Sequence, residues 1–472
     1  MQELTYRVPI KAKSLCKQRI SKNGRILVSK KAWAFRGILL SALTALIIFN
    51  LMVALSVGDL LIIYSTVIPV SMLAHLIIGW IFFKTRATGE VPDDLVSVII
   101  PVYNQENLIE RVVDAILCST YSNLEVVAVD DGSKDGTPHI LDELAKQNPQ
   151  LKVIHKPNGG KRTAVAAGFY EARGKFVVFI DSDSIMDRYA IEEFMKVFAA
   201  NPRVGGVVAN GKVLNSDENW LTKCQDSWYD WCFNINKTTE STFGTVVCLS
   251  GCMAAYRREA VADFVSFWAE NKYRFGDDSH MTTYVLATPR VKKQLAPLEG
   301  RLLKSMASYD DAEDRGLTTH ALAREWDTVY APTAVTYTEV PDAPRKFIRQ
   351  QTRWRKGYLR SSFFMSSFFY RKNPVMAFLW YLQFMYTFIS PVALVSIFLY
   401  GPIFLHSYLF PFTYLVGDLL FGLMNGLDYK FRDPTSKHWT YKPLMNLIAT
   451  FILPWMLFPA IWGFTKDGWL TR

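Results

Sequence analysis

The sequence predicts an α/β protein in which a cytoplasmic domain, built on a parallel Rossmann-like sheet, is held between transmembrane helices. Three observations carry this. From Leu95 onward, short β-rich runs alternate with helical patterns. That charged stretch is flanked on both sides by apolar segments long enough to cross a bilayer. The averages fit neither kind of protein alone: the 472 residues are 50% hydrophobic and only 20% charged, with a mean hydropathy of +0.09, too apolar for an ordinary soluble enzyme and too polar for an all-membrane transporter. Disorder, collagen-like repeats and a disulfide-stapled secreted module are excluded by the high apolar content, the absence of a short period and the sparseness of six cysteines. Cys16, Cys118, Cys224, Cys232, Cys248 and Cys252 form no CxxC pair and read as reduced thiols in a cytoplasmic setting.

Residues 1–36 form a basic arm, with Lys11, Lys13, Lys17, Arg19, Lys22 and Arg25 among its cations and Glu3 as its acid. Gly37 to Val57 and Leu60 to Phe83 contain no Lys, Arg, Asp or Glu, and each is long enough for a hydrocarbon core about 30 Å thick. Residues 37–83 therefore read as a transmembrane hairpin. The positive-inside rule puts the N-terminus and the following domain in the cytoplasm, at the plasma membrane of a multi-pass protein. The arm abuts a span and lacks interleaved aromatics, so anionic lipid headgroups are its expected partner and nucleic acid is not. The first apolar run starts too late and runs too long for a cleaved signal peptide.

Residues 84–343 make the cytoplasmic domain. Strands are expected at Leu95–Pro101, Leu124–Asp130, Leu151–His155 and Phe176–Ile180, with helices at Glu106–Leu117 and Pro138–Gln147. In a parallel sheet of this order, ligands sit at the carboxyl ends of the strands. Those ends carry Pro101-Val102-Tyr103-Asn104, Asp130-Asp131-Gly132-Ser133 and Asp181-Ser182-Asp183. Four carboxylates, with no GxGxxG or Walker loop, argue against a dinucleotide or P-loop site. They fit a site where Mg2+ or Mn2+ bridges acids to a diphosphate. Lys161 and Arg162, in the glycine-flanked turn NGGKR, offer cations to the same diphosphate.

Residues 344–371, PRKFIRQQTRWRKGYLRSSFF within them, are basic and amphipathic and read as a helix lying at the membrane interface. Residues 375–425 form a second apolar hairpin. Residues 443–464 are interrupted by Pro454 and Pro459 and are either a kinked span or a broken interfacial segment; the side of the tail, 465–472, depends on which.

The motifs IPVYN, VDDGSKDGT and DSDS resemble the nucleotide-sugar-binding half of inverting family 2 glycosyltransferases with the GT-A fold. Further along, Ser241 to Arg257 and Gln350 to Trp354 (QQTRW) are similar to the processive membrane synthases of hyaluronan, chitin oligosaccharide and cellulose. The likeness is strongest to the hyaluronan synthases, through Phe243 to Gly251, Thr338-Glu339-Val340-Pro341, QQTRW and Gly468-Trp469-Leu470-Thr471. It covers residues 95 to 371 well and the membrane parts in arrangement. Two departures stand out: two further C-terminal spans of that family are expected to be missing, and the element after Ser250-Gly251 reads Cys252-Met253-Ala254.

The resemblance implies a UDP-sugar donor, a growing polysaccharide acceptor and a divalent cation held by Asp183 and Asp181. It implies uracil contacts from Tyr103 and Asp131 beside Pro101 and Asp130, positive charge from Lys161, Arg162 and Arg353, and an acceptor platform from Trp354 beside Gln350. Cys248, Ser250, Gly251, Trp228 and Trp231 are its acceptor or channel candidates. It also implies a carboxylate base upstream of QQTRW, for which the sequence offers two: Asp314 in AEDR, favoured by its 40-residue distance from Trp354, and Asp278 in FGDD. The donor sugars, and whether one or two are used, stay open at this point.

Overall fold

The computed structural model describes residues 25–26, 28–58, 60–85, 90–262, 265, 326–366, 369–406 and 408–463. Both base candidates, Asp278 and Asp314, and the Gly468 to Thr471 segment lie outside the described residues.

Two helices open the chain, α1 (Lys30–Val57) and α2 (Leu60–Ile81). The domain follows as β1 (Val96–Val102), α3 (Ile109–Leu117), β2 (Leu124–Asp130), α4 (Thr137–Gln147), β3 (Leu151–His155), α5 (Lys161–Glu171), β4 (Phe176–Phe179), β5 (Ser184–Met186), α6 (Ala190–Ala200), β6 (Val204–Val213), α7 (Trp220–Trp231), α8 (Lys237–Thr242), β7 (Ala254–Arg257) and β8 (Asp327–Thr338). All eight strands join one sheet in the order β3-β2-β1-β4-β7-β6-β8-β5.

The half β3-β2-β1-β4 is parallel, the Rossmann-like part that the β-rich runs predict. The other half is mixed: β7 runs antiparallel to β4 and β6, β8 runs parallel to β6, and β5 closes the edge antiparallel to β8. Within this extension β5 and β7 are three and four residues long and carry too little pattern to read as strands. All seven residues of β1 are buried, as a central strand covered on both faces must be.

One face packs Val96, Val98 and Ile100 against apolar residues of α3, α4 and α6. The other packs Ile99, Val127 and Val129 against Val165 and Phe169 of α5 and runs on into Met376, Trp380 and Phe384. Here α5 lies so close to the sheet that a Cβ at Gly168 would stand 2.6 Å from Ile99 Cγ2.

After the domain come α9 (Pro344–Met365), α10 (Pro374–Val395), α11 (Leu409–Arg432), α12 (Lys442–Phe451) and α13 (Leu457–Trp462). The Asn373 side chain caps α10, with Pro374 at its first position. Among the described residues, Lys30–Val53, Pro374–Phe404 and Leu409–Arg432 are long and apolar enough to cross a membrane; Trp439–Phe451 and Leu453–Trp462 together make a fourth such segment, bent by 43°.

The domain is tied to these helices by buried charge. Arg432 donates to both oxygens of Asp230 on α7, at 2.6 and 3.0 Å, and to Asp428 at 2.7 Å. Arg36 on α1 donates to the other oxygen of Asp428 at 2.6 Å. Lys212 at the end of β6 pairs with Asp433 at 2.9 Å.

Candidate active site

The strand ends gather at one edge of the sheet. After β1 the chain turns through Asn104, a non-glycine residue at φ +50°. Its backbone N–H donates to Ser133 Oγ and its side-chain oxygen accepts from Lys134 N, both at 2.9 Å. This ties the first strand end to the second. Pro101 is buried within β1, and Tyr103 is 40% exposed at the rim. The turn after β2 needs Gly132 at φ +74°, where a Cβ would stand 2.8 Å from Asn158 N; only glycine meets both demands.

Asp130 and Asp131 are both 3% exposed, and each organises a loop. Asp130 accepts from Ser133 N and faces His155 Nδ1, at 3.0 Å each. The Asp130 and Asp142 carboxylates on either side of the imidazole raise the His155 pKa. Asp131 accepts from Gly159 N at 2.9 Å, from Gly160 N at 2.7 Å and from the Lys156 ammonium. It thereby holds the NGG turn against the end of β2. That turn is the N-terminus of α5, whose first residue is Lys161.

Lys161 Nζ lies 2.7 Å from Asp181 Oδ1. The Asp181 backbone N–H donates to Gly251 O at 3.1 Å, which fixes the Ser250-Gly251 turn beside the DSD sequence. Asp183 lies within 3.4 Å of the hydroxyls of Ser184 and Thr338. Arg162 follows Lys161 on the same turn of α5, half-buried. Midway along the Ser241 to Arg257 stretch, the Lys237 ammonium donates to Cys248 O.

The QQTRW residues fall on α9. Phe347 of α9 is buried with Leu221 and Cys224 of α7 and Met445 and Ile448 of α12. Helix α7 starts at a capping box, in which the Asn219 side chain accepts from Leu221 N and Thr222 N while Thr222 Oγ1 accepts from Asn219 N. It thus holds Trp228 against Trp354, ring centroids 6.3 Å apart. The Trp354 Nε1–H is buried with no hydrogen-bond partner among the described residues. Gln350 and Arg353 lie half-buried on the same helix. Trp231, three residues beyond Trp228, packs instead on Phe421 of α11 at 5.3 Å, 8% exposed, among Leu39, Leu43, Leu73 and Leu76.

Lys156 and His155 had no place in the sequence reading, although both sit at the end of β3, where the same strand-end rule points. Asp230, Arg432 and Lys212 went unremarked because their partners are more than two hundred residues away.

An α/β domain whose strand ends deliver a DD turn, a glycine-rich helix start with a lysine, and a DxD facing it, has the GT-A-like fold of glycosyltransferases. Residues 97–264 match the family "Glycosyl transferase family 2", and this segment is a family 2 glycosyltransferase domain. The chain is 28% identical to an N-acetylglucosaminyltransferase from Rhizobium meliloti over 291 residues, 61% of this chain and 61% of that relative. It is 24% identical to a hyaluronan synthase from Streptococcus pyogenes over 418 residues, 85% of this chain and 90% of the relative. A solved mannosyltransferase from Pyrobaculum calidifontis, in complex with GDP-Man and Mn2+, shares the fold at 20% identity, with a TM-score of 0.52 over 84% of this chain and 99% of that one.

Proposed function

We infer that the chain is an inverting, processive, metal-dependent synthase that polymerises UDP-activated sugars into a β-linked polysaccharide and passes the product through its own spans, with hyaluronan, from UDP-N-acetylglucosamine and UDP-glucuronate, as the leading product. The observation that carries this reading is the Trp228–Trp354 pair at the joint between domain and membrane helices. An indole face packs on the CH face of a pyranose, and the Trp354 N–H has a hydrogen bond to give. The similarity to a hyaluronan synthase across most of the chain supports it.

Inverting transfer needs a base on the acceptor hydroxyl and stabilisation of the charge gathering on the leaving diphosphate. Asp314, with Asp278 as runner-up, is the proposed base. Asp181 and Asp183 are the proposed metal ligands. Among the described residues no group of three or more His, Cys, Asp or Glu is placed to hold a metal. Two carboxylates from one strand end, with the diphosphate and water completing the shell, suit a hard Mg2+ or Mn2+ ion. When bound, such an ion supplies positive charge to the diphosphate oxygens. Lys161 and Arg162 add charge from the start of α5, Arg353 adds it from α9, and Tyr103 stacks at the uracil end. The N-terminus and the domain are proposed to be cytoplasmic, with the basic arm on anionic lipid.

The second reading is a single-donor synthase, favoured by the similarity to an N-acetylglucosaminyltransferase. One experiment separates the two: purified full-length protein is incubated with UDP-sugars, singly and in pairs, with Mg2+ or Mn2+, and scored for polymer by size. A need for two donors together supports hyaluronan, and polymer from one donor alone supports the second reading. Only short, lipid-extractable product would sink processivity. Activity in Asp314→Asn with none in Asp278→Asn would transfer the base assignment.

A further inference from the structure

A cavity of about 200 Å³ lies where β6, β8, α6 and α7 meet the end of α11. Asn210, Lys212, Asp226, Tyr337, Tyr429 and Asp187 are among its walls. It is distinct from the strand-end site. Tyr337 faces into it, whereas Thr338, next along β8, points to the opposite face of the strand and lies by Asp183.

Asn210 is 2% exposed; its amide donates to Pro332 O at 3.3 Å, but its side-chain oxygen accepts nothing among the described residues. A buried acceptor left unmade costs about 1–3 kcal/mol, so one aimed into a cavity is a place for a donor. The space exceeds what one ordered water fills.

The charges on the walls are largely matched with each other. Lys196 pairs with Glu192 and Glu193 at 2.7 and 2.8 Å, Lys212 with Asp433, and Asp230 with Arg432. Asp226 accepts from Tyr429 Oη at 3.2 Å, and burial pushes its carboxyl up to about 7. What remains is an excess of acceptors beside tyrosine rings, with acids outnumbering cations. Such walls repel an anion. No group of three or more ligating side chains among the described residues is placed for a metal. Hydroxyl donors on a ring with an apolar face match both features.

We propose that this cavity is a second saccharide site, which binds one neutral hexose or N-acetylhexosamine unit through Asn210 and Tyr337, apart from the donor site. It stands on geometry alone and does not depend on the polymerising activity. Helix α7 contributes Asp226 to this cavity and Trp228 to the pair with Trp354, so an occupant would touch the helix that positions the acceptor platform.

Equilibrium dialysis of the full-length protein in detergent, with radiolabelled N-acetylglucosamine or glucose as probe and no donor present, tests this. The expected result is saturable binding that UDP does not displace, that glucuronate competes for at least tenfold more weakly than the neutral sugars, and that falls at least fivefold in Asn210→Ala and in the milder Tyr337→Phe. Absence of saturable binding, displacement by UDP, equal competition by glucuronate, displacement by spermidine at lower concentration than by either sugar, or unchanged affinity in a folded variant would each overturn the proposal. Because binding is read without turnover, an inactive polymerase that still binds sugar here leaves it standing.

Discussion

Lys161 Nζ and Asp181 Oδ1 are 2.7 Å apart, so the first residue of α5 closes onto the carboxylate that the proposed metal would use. The pair is partly exposed and contributes little to stability by itself. If Asp181 holds the proposed metal and Lys161 the diphosphate, donor binding would part the pair, the ammonium going to a phosphate and the carboxylate to the cation.

Lys161→Met should therefore act in two directions. The KM for the donor rises about tenfold or more, as a charge-assisted hydrogen bond of about 1.5–3 kcal/mol is lost. The Mn2+ concentration for half-maximal metal binding falls, because Asp181 no longer has a resident cation. Steady-state kinetics give the first number and a metal titration read by Mn2+ electron paramagnetic resonance gives the second. A weaker metal affinity in Lys161→Met would refute the exchange.

Trp354→Ala is expected to shorten the product more than it slows UDP release, if the pair with Trp228 is the proposed acceptor platform and does not serve the diphosphate. Trp228→Phe, which keeps an aromatic edge for Trp354 and Phe347, should keep long product. Product length by gel electrophoresis, set against released UDP, separates the two quantities.

Asp226 gives a pH dependence with a definite sign. Burial holds its folded pKa at about 7, above the usual carboxylate value near 4, so the folded state favours the proton. Stability from this group is full below pH 4 and declines as pH rises towards 7, by up to about 4 kcal/mol on linkage arithmetic. Asp226→Asn keeps the shape without the charge. The melting temperature of the wild type minus that of the variant should drop between pH 5 and pH 8; a difference independent of pH would show that Asp226 titrates normally.

The chain Arg36–Asp428–Arg432–Asp230 is buried throughout. Removing one member strands a charge, so Arg432→Met should cost about 3–5 kcal/mol. Adding Asp230→Leu to Arg432→Met should cost less than the two single changes summed, because the stranded carboxylate goes too. A double-mutant cycle on thermal unfolding measures the difference.

The parallel half of the sheet was legible because each of its strands is a β-rich run ending in a polar turn, and its order follows from βαβ connections. The positions of Asp130, Asp131 and Asp181 at the strand ends followed from that order. The mixed half was not legible, since Ser184–Met186 and Ala254–Arg257 are strands only through their neighbours in space. Trp228 and Trp231 are three residues apart on one helix, yet one meets Trp354 and the other Phe421. No spacing rule separates them, because the choice is made by which distant helix covers each face of α7.

The Arg36–Asp428 contact also has a history in time. Its partners are 392 residues apart in sequence, and at 5–20 residues per second a ribosome takes roughly 20–80 s to travel between them. During that interval Arg36 is without the Asp428 carboxylate that holds it in the folded molecule. The joint between the two ends of the molecule therefore closes late in biogenesis, after the domain between them has had time to fold.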